Sequence, residues 1–412
     1  MAMKPGYRQT EVGVLPKDWD VALMDSVAKR GSGHTPDKQH PEYWGGSIKW
    51  ISLKDSDRLD TLYIAETAAT ITPAGIANSS AVMHRAGTVV LSRDAGVGKS
   101  SIMKDEMAVS QHFIAWLCGP RLDNHFLYYW LQAKKSEFER IAFGNTIKTI
   151  GLSYFKKLKL PLPLLHEQQM IAAALITVDT LISELDQLIT KKKALKRAAM
   201  RQLLTGKRRL PGFSEEWKVR PLGDVGFFSK GKGIKKDEVV QDGVPCIRYG
   251  EIYTVHNDFV RKFFSFIPRE ITKESQLIRK GDLLFAGSGE TAEEIGKCVA
   301  FLGDEEVYAG GDIVIFTPKE QNSMYLGYLM NHPSVTCQKA RMGQGDAVVH
   351  ISASNLGQLE LFLPRKEEQA AIAAVLSDMD AEIAALEQRR DKTRAIKQGM
   401  MQELLTGKTR LI

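Results

Sequence analysis

The stretch Ala95-Gly96-Val97-Gly98-Lys99-Ser100 ends like a phosphate-binding loop, in which backbone amides cradle a nucleotide's phosphates and the lysine reaches the outer ones. That chemistry needs a glycine five residues before Gly-Lys-Ser, where the backbone must touch phosphate, and Arg93 stands there. With no acidic metal-binding strand following, a polar loop between strands is the better reading. Phe285-Ala286-Gly287-Ser288-Gly289-Glu290 matches the F-x-G-x-G loop of S-adenosylmethionine-dependent methyltransferases. DNA adenine methyltransferases also need an Asn/Asp-Pro-Pro-aromatic tetrapeptide to hold the target amino group, and the chain has none. The 9 histidines are scattered, without H-E-x-x-H, a Cys–His cluster or carboxylates at ligand spacing. Nothing in the sequence gives positive support for catalysis or for a metal site.

Cations on glycine-rich loops are better represented. Ala28-Lys29-Arg30-Gly31-Ser32-Gly33-His34-Thr35-Pro36 has a counterpart in Ser229-Lys230-Gly231-Lys232-Gly233-Ile234-Lys235-Lys236. Flexible glycines flanked by charge suit contacts to a phosphate backbone. Between Thr190 and Pro211 there are 9 Lys and Arg and no acid, which fits a solvated helix face, a basic ridge or a docking surface.

These loops come in pairs because the chain repeats itself. Leu160–Leu210 and Leu361–Leu411 align without a gap, from Leu160-Pro161-Leu162-Pro163 and Leu361-Phe362-Leu363-Pro364, through Glu167-Gln168 and Glu368-Gln369, to the Leu-Leu-Thr-Gly-Lys runs ending at Lys207 and Lys408. The remainder matches loosely: Trp19 with Trp217, Val97-Gly98-Lys99 with Ile295-Gly296-Lys297, Gly144 with Gly345, and Leu91-Ser92-Arg93-Asp94 with the start of the Phe285 stretch. The glycines of that stretch are therefore no feature of the repeated module. Two divergent blocks alternate with two near-constant ones.

The near-constant blocks read as long helices. Ile171, Leu175, Val178, Ile182, Leu185 and Ile189 step by four and three, as do Ile372, Leu376, Met379, Ile383 and Leu386. That is a coiled-coil seam. Pro163 and Pro364 stand before the helices, and Gly206 and Gly407 after them. About 40 residues at 1.5 Å each span roughly 60 Å. Each exposed seam needs a partner: the other copy in an antiparallel pair, its own globular block, or a second chain. The divergent blocks look mixed, with strands at Thr88–Ser92, His112–Leu117 and Ile313–Phe316 and short helices at Phe126–Ala133 and Tyr325–Asn331.

Composition sets the bounds. With 412 residues, 43% hydrophobic and 25% charged, the chain is neither fibrous nor disordered and is long enough for two or three cores. Its 56 Lys plus Arg exceed 49 Asp plus Glu by +7, which permits a polyanionic partner without requiring one. The 4 cysteines lie far apart and read as buried, reduced thiols. Met1–Tyr7 has no apolar signal core, and the longest apolar run, near Met170–Val178, is far short of the roughly 20 residues that span a bilayer. A soluble, cytoplasmic protein that contacts no membrane is expected.

Two divergent modules between near-constant helices resemble the specificity subunit of type I restriction–modification systems. The likeness covers almost the whole chain and includes Gly33-His34-Thr35-Pro36, Tyr43-Trp44-Gly45-Gly46, Trp50-Ile51-Ser52, Val349-His350-Ile351-Ser352 and the Leu-Leu-Thr-Gly-Lys helix ends. Copy two has Gly231-Lys232-Gly233-Ile234 in place of the Gly-x-Thr-Pro form, which implies a different recognition subfamily. The resemblance implies an α+β fold: two mixed α/β target recognition domains (1–162 and 211–363), separated by a long antiparallel intramolecular coiled coil of two spacer helices (163–210 and 364–412), with pseudo-twofold symmetry. It further implies that each domain reads one half of a bipartite DNA sequence in the major groove while the helices fix the spacer. Two methyltransferase subunits would bring S-adenosylmethionine and adenine-N6 chemistry, two ATP- and Mg-dependent restriction/translocase subunits would join them, and this chain would be non-catalytic and bind no cofactor.

Reading base edges calls for hydrogen-bonding side chains on loops. The candidates in copy one are Lys29, Arg30, His34, Lys54, Arg93, Lys99, Gln111, His112, Asn145 and Lys148. In copy two they are Lys230, Lys232, Lys235, Arg248, Tyr249, Ser288, Glu290, Gln344 and Asp346.

Overall fold

The computed structural model describes residues 5–345 and 348–411. The chain forms two compact units, Met1–Asp186 with Gln388–Ile412, and Gln187–Glu387.

In the first unit, β-branched and aromatic runs bounded by glycine turns make two sheets. One has five strands in the order Ala28–Gly31, Phe113–Cys118, Val89–Ser92, Ser100–Met103 and Tyr63–Ile64. The other has four, Ala69–Ile71, Trp44–Ile51, Met107–Val109 and Met83–His84. The second unit repeats the order with Gly226–Lys230, Ile313–Pro318, Leu283–Ala286 and Cys298–Ala300, and with Ser265–Ile267, Val244–Ile247, Val307–Ala309 and Gln276–Ile278. The parallel pairing of Val109 with Ile51 recurs as Ala309 with Ile247. The expected short helices run Asn124–Ala133, capped by the Asp123 carboxylate, and Ser323–Met330, capped by Asn322.

The expected long helices are Leu165–Leu203 and Lys366–Leu404. Gly206 and Gly407, at φ of +69° and +68°, follow them in the left-handed region that ends a helix. Each unit holds part of both helices, and both show antiparallel pairing. In the first, Asp186 meets Arg390 and Arg394 while Asp179 meets Lys397. In the second, Lys192 meets Glu382 and Lys196 meets Asp380. The antiparallel partner among the alternatives is thus the other helix of the same chain. Lys193 and Arg209 also have carboxylate partners, Glu387 and Glu368, so the basic run is partly an ion-paired helix face.

The seam spacing serves two environments. Leu185, Ile189 and Ile383 are buried, and Val178, Ile182, Met379 and Leu386 are half-buried along the helices. Ile171 and Leu175 instead join a globular core with Trp19, Trp116, Phe126 and Tyr129, together with Leu404 and Leu405. Ile372 and Leu376 join the matching core with Trp217, Phe285, Phe316 and Tyr328, together with Leu203 and Leu204. Those four residues are core positions, because a helix packed on a domain buries the same face as one packed on a helix.

Polar clamps, the same in both units, fasten domain to helices. Glu167, nearly fully buried, accepts from the Trp19 indole at 2.9 Å and from Arg410 at 2.6 and 2.8 Å. Glu368 accepts from Trp217 at 3.0 Å and from Arg209 twice at 2.6 Å. Asp179 holds the Tyr129 hydroxyl at 2.8 Å and Lys397 at 2.6 Å, and Asp380 holds Tyr328 at 2.6 Å and Lys196 at 2.7 Å. Gln168 and Gln369 bond the backbone before each short domain helix, at Asp123 and Asn322, both at 2.9 Å.

The cysteines depart from the expected burial. Cys246 and Cys298 are buried, Cys118 is partly so, and Cys337 is exposed on an outer helix face. Burial pushes the Cys118 and Cys246 thiols up to about 12. Among the described residues no helix is long and apolar enough to cross a membrane.

Candidate nucleic-acid interface

In the first unit, three segments meet around one carboxylate. The strand Val89–Ser92 delivers Arg93 and Asp94 into the following loop. Asp94 is 7% exposed and bonds His112 Nδ1 at 2.7 Å and the Thr149 hydroxyl. Thr149 closes a small hairpin through reciprocal backbone bonds with Phe143 of 3.0 and 2.9 Å, and the hairpin carries exposed Asn145 and Lys148. The Ala95 amide donates to the Lys148 carbonyl at 3.2 Å, and the Ala95 carbonyl accepts from Ser56 at 3.4 Å. Arg93, His112, Asn145, Lys148 and the Leu53–Arg58 turn bearing exposed Lys54 therefore form one face.

Other candidates are committed elsewhere or stand apart. Lys99 turns to the Ser56 carbonyl at 2.9 Å, with Asp57 at 3.7 Å. Arg30 pairs with Asp25 at 3.2 Å. Lys29 is exposed on the edge strand. His34 is exposed while its carbonyl accepts from the Trp50 indole at 3.2 Å, and exposed Gln111 accepts from the Thr35 hydroxyl at 2.8 Å.

The second unit builds the same frame from other side chains. Ser288 bonds His350 Nδ1 at 2.9 Å where Asp94 bonds Thr149. Gln344 and His350 exchange backbone bonds of 2.9 and 2.8 Å where Phe143 and Thr149 do. Arg93 donates its amide to His112 at 3.0 Å, and Gly287 donates to Asp312 at 2.7 Å. Ile150 and Ile351 donate to the Arg93 and Gly287 carbonyls at 2.9 and 3.0 Å. Lys230, Ser288, Asp312, Gln344 and His350 line one cleft of about 480 Å³. Phe285–Gly289 is buried strand and bend rather than an open loop, and Glu290 follows it exposed. Arg248 and the 42%-exposed Tyr249 open a separate short helix, where buried Glu251 accepts from the Arg248 amide at 2.9 Å. Lys232 and Lys235 are exposed on the loop after the edge strand. Asp346 lies outside the described residues.

Strand register corrects the pairing of the basic loops. Gly31 faces Ala115 and Ser229 faces Ile315, so Lys29 and Arg30 share positions with Phe227 and Phe228, and His34 with Lys232. Sequence reasoning passed over Asp94 and Thr149, because an acid in a basic loop and a hydroxyl at a hairpin stem carry no motif. Their signal was position in the repeat: Asp94 aligns with Ser288 through the paired Leu91 and Phe285 stretches, and Thr149 with His350 beside the paired Ile150 and Ile351. Among the described residues no three His, Cys, Asp or Glu side chains gather in a metal-binding group.

A paired frame with the same backbone and different chemistry defines a duplicated recognition protein held on two helices. Residues 16–197 and 214–394 both match the family described as type I restriction modification DNA specificity domain, and the chain belongs to that family. It is 26% identical over 313 residues, 70% of each chain, to the type I restriction enzyme MjaIX specificity subunit of Methanocaldococcus jannaschii. It is 25% identical to the MjaVIII specificity subunit of the same organism, over 96% of this chain and 94% of that one. The crystal structure of a type I restriction–modification S subunit from M. genitalium shares the fold, with a TM-score of 0.59 at 16% identity, covering 98% of this chain and 99% of that one.

Proposed function

We propose that this chain is the non-catalytic targeting subunit of a cytoplasmic type I restriction–modification complex. Each unit reads one half of a bipartite, asymmetric duplex target. Two methyltransferase subunits bring S-adenosylmethionine and methylate adenine N6 at the chosen site, and two ATP- and Mg-dependent restriction/translocase subunits join for cleavage. The observation that carries this reading is the repeated backbone frame around the buried Asp94 and Ser288, which holds the His112 imidazole in one unit and the exposed His350 imidazole beside the Gln344 amide in the other. Those groups hydrogen-bond base edges, and their difference gives two unlike half-sites. Arg93, Lys148, Lys54 and Lys230 supply the phosphate contacts that position the faces.

The test is methylome sequencing of cells with and without the chain. N6-methyladenine should vanish from one two-part motif when the chain is absent. Removing about one or two helical turns from one long helix should change the spacer and leave both half-sites intact. A change in half-site sequence, or methyl transfer by the purified chain alone, overturns the reading.

A further inference from the structure

Phe143 is 64% exposed and Ile147 is 53% exposed, and both sit on the hairpin that Thr149 fastens to Asp94. Scattered apolar side chains on a surface need no explanation. These two lie on a rigid frame. Gly144 at φ +120° makes the turn, and a Cβ there would fall 2.3 Å from the Ile147 carbonyl oxygen. Gly345, at +116°, where a Cβ would fall 2.2 Å from the Val348 carbonyl oxygen, holds the same place in the second unit. At the positions of Phe143 and Ile147 that unit has exposed Gln344 and 49%-exposed Val348. The stem bonds thus repeat while Phe143 gives way to Gln344 and Ile147 to Val348. Hydrophilic Asn145 and Lys148 flank the apolar pair, and the stem joins Arg93 and His112 through Asp94.

We propose that this hairpin is an apolar reading element, with Phe143 and Ile147 packing against thymine 5-methyl groups in the half-site of the first unit. The proposal rests on the DNA-targeting reading above. The 5-methyl group is the one apolar feature that a base pair offers in the major groove, and Phe is among the side chains that contact it. A protein partner would also cover apolar side chains. The DNA assignment is favoured by the flanking cation and amide and by the shared stem with the polar reading residues. Gln344 at the Phe143 position gives the second unit an amide that pairs with adenine, which leaves Val348, the counterpart of Ile147, as the apolar side chain of its hairpin.

The test uses the full chain assembled with its methyltransferase subunits, on a duplex carrying the mapped target. Each thymidine is replaced in turn by deoxyuridine, which removes only the methyl group, and binding is read by fluorescence anisotropy. One or two replacements in one half-site should weaken the unsubstituted complex about fourfold each, the worth of one buried methyl-sized group. The Phe143→Ala or Ile147→Ala complex should bind the thymidine duplex more weakly and lose that sensitivity. Both side chains are exposed, so the fold is not at stake. Sensitivity that persists in both variants, or no sensitive thymidine in that half-site, overturns the proposal. So does a variant that binds the methyltransferase subunits more weakly while keeping the methyl sensitivity, which would make the hairpin a protein contact. Failure of the unsubstituted complex to prefer the target over a scrambled duplex would instead bring down the DNA-targeting reading itself.

Discussion

The clamps and the reading faces are built to opposite rules. At the clamps both units use one set of residues: Trp, Glu and Arg in Trp19–Glu167–Arg410 and Trp217–Glu368–Arg209, then Tyr, Asp and Lys in Tyr129–Asp179–Lys397 and Tyr328–Asp380–Lys196. At the faces the backbone bonds repeat to within a few tenths of an ångström while Asp94, Thr149, His112 and Phe143 give way to Ser288, His350, Asp312 and Gln344. A buried carboxylate with three donors tolerates few alternatives, because each lost partner leaves an unpaired group out of water. An outward side chain on a fixed hairpin answers only to what it meets outside. The seating of each domain on the helices therefore uses repeated chemistry, while the faces proposed to read DNA vary their chemistry on a repeated backbone.

The most severe challenge to this comparison is to cut the clamps. Glu167→Ala leaves the Trp19 indole without its acceptor and Arg410 with Asp18 alone, at 2.9 and 2.7 Å, and Glu368→Ala leaves Trp217 without its acceptor and Arg209 with the Glu215 carbonyl at 2.9 Å. Removing the shared acceptor of buried hydrogen-bonding groups costs about 1–3 kcal/mol, most of it from the donors left unpaired. Urea unfolding should show losses of that order in both variants, the smaller in Glu167→Ala, where Asp18 still pairs with Arg410. A large loss in one and none in the other would mean that the clamps match in geometry but not in function.

A smaller effect comes from a core position where the units disagree in charge. The carbonyls of Phe138 and Lys339 each accept the closing amide of their helix at 3.1 Å, so the two residues are equivalent, and both are fully buried. The Lys339 ammonium donates to the Gly296 carbonyl at 2.6 Å, and burial pushes its pKa down to about 8. The unfolded chain holds that proton up to the ordinary lysine value near 10.5. Between about pH 8 and 10.5 the unfolded state binds more protons, so this group's penalty is full below pH 8 and fades as pH rises. Lys339→Met should stabilise the protein at pH 7 by on the order of 1–3 kcal/mol, with the gain shrinking toward pH 10. A pH-independent difference, or a loss at pH 7, would show that the bond to Gly296 outweighs the buried charge.

How far these features were legible in the sequence follows the same division. The duplication, the long helices and their stop glycines rest on local spacing, which needs no knowledge of distant contacts. The seam was over-read at Ile171, Leu175, Ile372 and Leu376, because helix–helix and helix–domain burial give one periodicity. The clamps could be seen as repeated letters but not as bonds, since Arg410 and Glu167 are 243 residues apart. On the faces, loop placement picked Arg93, His112 and Lys148, which the fold brings together around Asp94. It could not tell that Arg30 and Lys99 are spent on Asp25 and the Ser56 carbonyl, because a lysine's partner is decided by tertiary packing.

The smallest effects should come from the ion pairs along the helix faces. Lys192–Glu382 at 2.5 Å and Arg394–Asp186 at 2.9 Å are as short as the clamp bonds, yet their side chains are roughly one-third to one-half exposed, whereas the Glu167 and Glu368 side chains are 3% exposed. Water and salt screen such pairs, and fixing two long side chains offsets much of the attraction. A double-mutant cycle on Lys192→Ala and Glu382→Ala should give a coupling below about 0.5 kcal/mol that disappears in about 0.5 M salt. Equal distances with a severalfold difference in coupling would place the stability of the arrangement in the buried ends of the helices. A coupling above about 1.5 kcal/mol would move it to their exposed faces and remove the distinction between clamp and strut.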